Sequence, residues 1–156
     1  MSMNEVKRIL VVVTATKDCV DLVQDAFGLA ERMRASLFVL DVVHDPFAYM
    51  GWNLPMPSFD EEYRKLLDEV RDRLRAMIKE AKGKGFPIES LVREGQPFEQ
   101  ILKVVEEEKI DLLVLPAHEE HRLEHYFTGR LMDKIIRKMP CSILLVKQED
   151  VTQCET

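Results

Sequence analysis

Three of the chain's four histidines, His118, His121 and His125, fall within eight residues, interleaved with Glu119, Glu120 and Glu124. Imidazoles with carboxylates are a donor set for zinc or another borderline divalent ion. On a helix the three would lie at i, i+3 and i+7 along one face, and His121 and His125 alone make an i,i+4 pair. His44, the fourth, follows an apolar run that contains Asp41. The spacing matches no established ligand signature such as H-E-x-x-H, and a solvated charged loop would have the same composition. A pH response is the third reading, because histidine titrates near neutrality.

Nucleophilic chemistry has less to work with. Thr14 and Thr16 end an apolar run without an evident activating partner, and Cys141 follows Pro140 away from any obvious base. G-x-S-x-G, the Walker A pattern and G-x-G-x-x-G are all absent. The sequence therefore predicts a non-enzyme. Cys19, Cys141 and Cys154 are odd in number, widely spaced and form no C-x-x-C pair, which points to reduced thiols. A net charge of −6 argues against a nucleic-acid partner, which would be held by Lys and Arg on phosphates. No apolar run approaches the roughly 18 residues needed to span a bilayer. MSMNEVKRILVVV lacks a small-residue cleavage site, so a cytoplasmic location is expected.

Positioning such residues requires a scaffold, and the pattern of the chain predicts one. Arg8 to Val13, Ser36 to Val43 and Ile110 to Leu115 are apolar, β-branched runs, as in strands buried on both faces. Pro87 to Arg93 alternates and suits a sheet edge, and Ser142 to Val146 is a final apolar strand. Between them lie helical patterns. Cys19 to Ala35 carries Val20, Val23, Phe27, Ala30 and Met33 at helical spacing, with Asp18 as the expected N-cap. The next helix opens on a Ser58/Glu61 capping box and carries Tyr63, Leu66, Leu67, Val70, Leu74, Met77 and Ile78 as its apolar stripe. Pro97 sits at the first position of a third helix, which buries Phe98, Ile101, Leu102, Val104 and Val105. A fourth helix follows Gly129. This β-α-β alternation predicts one α/β domain over 1–147, a doubly wound parallel sheet with helices on both faces, followed by a polar tail over 148–156. Ligands of such sheets bind beyond the carboxyl ends of the strands, so the loop from Pro116 to Gly129 is the expected functional segment.

From Arg8 to Lys147 the chain resembles the universal stress protein family. KRILVVV fits the first strand, and SLFVLDVV the second, where the family often has His-Val after apolar residues. EGQPFEQILKVVEEEKIDLLVL resembles the family's Gly-x-Pro turn, third helix and fourth strand; GRLMDKIIRKMPCSILLVK resembles its last helix and strand. The resemblance implies a five-stranded sheet of order 3-2-1-4-5, the adenine nucleotide alpha hydrolase-like fold, and homodimers that pair their final strands. Many members bind ATP through G-x2-G-x9-G-[ST], whose glycines let backbone N–H groups approach phosphate at a helix N-terminus. Here Pro116, Glu119, Gly129 and Arg130 occupy those places, so one position of the four survives. Thr14 stands where ATP binders have Asp. A non-catalytic stress-response protein with a degraded ATP site is thus the expectation. The alternative is an ATP or AMP binder with Thr14 and Val42 near base and ribose and Gly129 and Arg130 near phosphate. The segment 47–56 (Phe47, Tyr49, Met50, Trp52, Leu54, Met56) could fill space locally or meet a protein partner. The strand Ile143 to Val146 is an apolar edge that pairing across a two-fold would cover.

Overall fold

In a computed structural model of the chain, residues 2–13, 19–43, 57–81, 87–117 and 129–147 are described. After a short 3-10 turn (Met3–Glu5) come β1 (Arg8–Val13), α1 (Val20–Met33), β2 (Ser36–Val43), α2 (Pro57–Ala81), β3 (Ile88–Glu94), α3 (Pro97–Glu107), β4 (Leu112–Ala117), α4 (Gly129–Lys138) and β5 (Ser142–Lys147). All strands are parallel, in the order β3-β2-β1-β4-β5, the topology expected from the sequence.

The period of two along the central strands divides the core between the two faces. Ile9, Val11 and Val13 of β1 pack with Leu22, Val23, Ala26 and Ala30 of α1 and Leu74, Met77 and Ile78 of α2. Leu10 and Val12 point the other way, into Ile101, Val104 and Val105 of α3 and Leu131 and Ile135 of α4. Ile9, Leu10, Leu113 and Leu115 are fully buried, and each such side chain contributes on the order of 1.5–3 kcal/mol through removal of apolar surface from water. β3 has no fully buried residue, as suits an edge. No described helix is long and apolar enough to cross a membrane.

A polar clasp ties the amino ends of the strands. Asp111 Oδ2 accepts the N–H groups of Lys7 (2.8 Å) and Arg8 (3.0 Å). The Arg8 guanidinium donates to the carbonyl and the Oε2 of Glu108 and lies 4.7 Å from the Phe38 ring centroid. Sequence separations of 100 residues and more are closed here, at the end of the sheet opposite to where ligands of this architecture bind.

Several local expectations are corrected. Cys19, not Asp18, holds the N-cap position of α1, without a side-chain cap bond; Asp18 lies outside the described residues. α2 begins at Pro57, so Ser58 sits inside its first turn rather than capping it. Leu66 is 43% exposed and off the stripe, whereas Leu67 and Val70 are buried. On the exposed side of α2, Glu69 and Arg73 form an i,i+4 ion pair at 3.6 Å. Leu102 is only partly buried. β4 runs two residues further than the apolar run, through Pro116 and Ala117.

Candidate functional site

The sheet order reverses between β1 and β4, and a crevice opens at the carboxyl ends of strands at such a point. The ladders show where it starts. β1 stays in register with β2 to Val13–Asp41, and β4 with β5 to Ala117–Lys147, but β1 and β4 pair only as far as Val11–Val114. Beyond that level β1 and β4 have no register partners in each other.

Pro116 lies on this unpaired side as a buried residue of β4, opposite Val146 of β5. It was expected to begin the loop, and it is instead the penultimate residue of the strand. Lacking an N–H, it offers the crevice no backbone donor. Gly129 opens α4, and a helix N-terminus there carries the partial positive charge that favours anions. Arg130 is the second residue of the same turn. Val42 is 8% exposed and packs with Leu40 into the α3/α4 core, so its side chain serves the core. Thr14, Glu119, His44, His118, His121 and His125 lie outside the described residues. Among the described residues no group of His, Cys, Asp and Glu side chains converges to hold a metal ion.

Two features of this end of the sheet had no motif to reveal them. Asp41 is the one buried charged side chain among the described residues, and its register neighbours are Val13 and Val92. It occupies the place where the resemblance led us to expect His. Tyr63 of α2 donates its hydroxyl to Glu94 Oε2 at 3.0 Å, joining a helix to a strand end 31 residues away. The Gly-x-Pro turn behaves as expected. Gly95 adopts φ 129° and donates its N–H to the Val43 carbonyl at 3.0 Å, and an added Cβ would sit 3.1 Å from Gln100 Nε2. The conformation is what favours glycine there, since the flexible end of the Gln100 side chain could make way for a Cβ.

At the opposite end, burial pushes the Cys141 thiol up to about 11; its backbone hydrogen bond to Leu113 lowers it and the Asp111 charge raises it. A protonated thiol is a poor nucleophile. Because the folded value exceeds the ordinary 9.0, the unfolded chain releases the proton first, so Cys141 lowers stability as pH rises from 9 towards 11. We expect the difference in urea midpoint between the parent and Cys141→Ala to shift in favour of the variant across that window. A constant difference from pH 7 to 11 would refute this.

The universal stress protein family profile matches residues 5–147. A universal stress protein of Methanocaldococcus jannaschii is 27% identical over 101 residues, 64% of this chain and 62% of that protein, so the match spans less than two thirds of that relative. Among solved structures, a universal stress protein in complex with cAMP superposes with a TM-score of 0.63 at 19% identity, covering 92% of this chain and 98% of its own. The universal stress protein from Archaeoglobus fulgidus in complex with dAMP gives a TM-score of 0.60 at 16% identity, covering 93% and 100%. These structures establish the shared fold. With the family profile covering nearly all of the chain, the strand order it requires in place and the Gly-x-Pro turn built as its sequence demands, the chain belongs to the universal stress protein family.

Proposed function

We propose that this family member is a cytoplasmic, homodimeric and non-catalytic regulator in the stress response, acting through protein contacts, and that it does not bind ATP tightly. Pro116 carries this reading: the first glycine position of the phosphate motif is a buried residue of β4 without a donor. Glu119 at the second glycine position would bring a carboxylate towards the phosphates, and Thr14 replaces the acidic residue of ATP-binding members. Non-catalysis is supported by the thiols: Cys19 is buried and Cys141 is held protonated.

A second reading is favoured by the solved neighbours in complex with cAMP and dAMP and by the β1–β4 ladder, which ends at Val11–Val114, short of the strands' carboxyl ends. It is an adenine-nucleotide site in which Thr14 and Val42 lie near base and ribose, and Gly129 and Arg130 near a single phosphate, for which a guanidinium is well shaped. Isothermal titration of nucleotide-stripped protein separates the two. We expect no micromolar binding of ATP or AMP. Micromolar ATP affinity overturns the first reading, and micromolar AMP without ATP binding replaces it with the second.

A further inference from the structure

β3 is the outermost strand on the side of the sheet away from β5, and none of its residues from Ile88 to Glu94 is fully buried. Its inner side is taken, since the whole strand is in register with β2, from Leu37–Ile88 to Val43–Glu94. One hydrogen bond fixes what its outer side offers. Gly95 donates its N–H inward to the Val43 carbonyl, so the Glu94 carbonyl, across the same peptide plane, points outward. By alternation Ile88, Ser90, Val92 and Glu94 turn both N–H and C=O away from the sheet, while those of Glu89, Leu91 and Arg93 face β2. The side chains divide in the same way. Leu91 packs against the α3/α4 core and Arg93 Nη2 lies 2.9 Å from Glu107 Oε2 of α3, so Glu89, Leu91 and Arg93 share the α3 face.

We propose that this edge pairs antiparallel with the β3 edge of a second copy of the chain, about a two-fold axis through Leu91. The charges select both the partner and the register. A two-fold perpendicular to the sheet keeps each face on its own side, so directly opposed residues share parity and the axis passes through a residue. Leu91 is the middle residue of β3, and an axis there overlaps the two strands along their whole length. Glu89 then stands opposite the second copy's Arg93, and Arg93 opposite its Glu89. An axis through Ser90 or Val92 would set Leu91 against a charge instead. Since the backbone groups of Glu89, Leu91 and Arg93 face β2, these residues fall at the non-hydrogen-bonded positions of the new ladder, where opposed side chains come closest. Charged edges deter strand addition; Glu-x-Leu-x-Arg read in reverse is its own complement, so this edge deters other strands and admits its own copy. Leu91 is the one apolar side chain of this face that the joint covers, which makes the joint weak and transient. It lies at the opposite edge from β5 and does not depend on pairing there. Where both form, dimer joins dimer in one continued sheet.

Disulfide trapping tests the joint, because it captures a contact too transient for size exclusion. In a Cys154→Ser background, Leu91→Cys puts a thiol on the axis, where non-hydrogen-bonded partners stand about 4.5 Å apart between Cα atoms, within disulfide reach. Ile88→Cys is the control on the same strand, facing the second copy's Glu94 rather than its own counterpart. Under mild oxidation we expect covalent dimer from position 91 and little from 88 or from the background. Glu89→Arg or Arg93→Glu, added to Leu91→Cys, opposes like charges and is expected to lower the yield roughly tenfold. An equimolar mixture of the two restores it, because each charge then meets its opposite. Equal product at 91 and 88, or a yield indifferent to the charge changes, overturns the pairing. If Leu91→Cys melts early, light scattering on concentrated Glu89→Arg and Arg93→Glu chains without that cysteine decides. More mass in the mixture than in either variant alone is expected, and equal mass overturns the pairing.

Discussion

The triple variant Pro116→Gly, Glu119→Gly, Arg130→Ser is expected to bind ATP at least about a hundredfold more tightly than the parent chain, a gain of roughly 3 kcal/mol. The substitutions rebuild G-x2-G-x9-G-S on the existing crevice. Pro116→Gly restores a backbone donor at the carboxyl end of β4, Glu119→Gly removes a carboxylate, and Arg130→Ser places a hydroxyl in the first turn of α4. Two recovered charge-assisted hydrogen bonds at about 1.5 kcal/mol each account for the figure. The readout is isothermal titration, with a thermal melt to show that β4 tolerates glycine, which costs about 0.5–1 kcal/mol in a strand interior. An unchanged isotherm from a folded triple variant would mean that this crevice is not a phosphate site, and the adenine-nucleotide reading would fall with it.

Leu144→Lys is expected to turn the proposed dimer into a monomer. Leu144 is 38% exposed, on the face of β5 opposite α4, two residues from Val146 of the α1/α2 core and so in the same parity. Pairing of two β5 strands would bury Leu144 from each copy. With only about a third of each Leu144 left to bury, on the order of 1 kcal/mol is lost twice. That weakens association by roughly one to two orders of magnitude, before the cost of desolvating two ammonium groups. Size exclusion with light scattering reads the result directly. Since Leu144 makes up part of an exposed edge, the monomer should melt within about 0.5 kcal/mol of the stability expected for a surface substitution. An unchanged dimer would rule out strand pairing through β5.

The two experiments probe elements of very different legibility. β1, β2 and β4 could be read from continuous apolar runs, because a strand covered on both faces has no polar alternation to maintain. The Gly-x-Pro turn was equally plain, since Gly95 at φ 129° admits few other residues. Helix starts were the weak point. The capping patterns at Asp18 and Ser58 are local signals, and α1 and α2 begin where packing on the sheet sets them, at Val20 and Pro57. Leu66 shows the same limit: a helical stripe of seven apolar residues is wider than the surface available to bury it.

For the site, the chain's residue types alone establish that three of four phosphate-motif positions are not glycine or serine/threonine, because donor chemistry belongs to residue type. The sequence also determined which segments alternate and hence the doubly wound architecture. Tertiary structure decided the rest. It extended β4 through Pro116 and ended the β1–β4 ladder at Val114, because a strand's length is set by its neighbours' hydrogen bonds. It brought Tyr63 to Glu94 and Arg8 to Glu108 across long separations that leave no periodic trace. It buried Ile135 fully and left Ile136 40% exposed, as the type of an apolar helix residue says nothing about whether its face will meet a neighbour until the helices have packed.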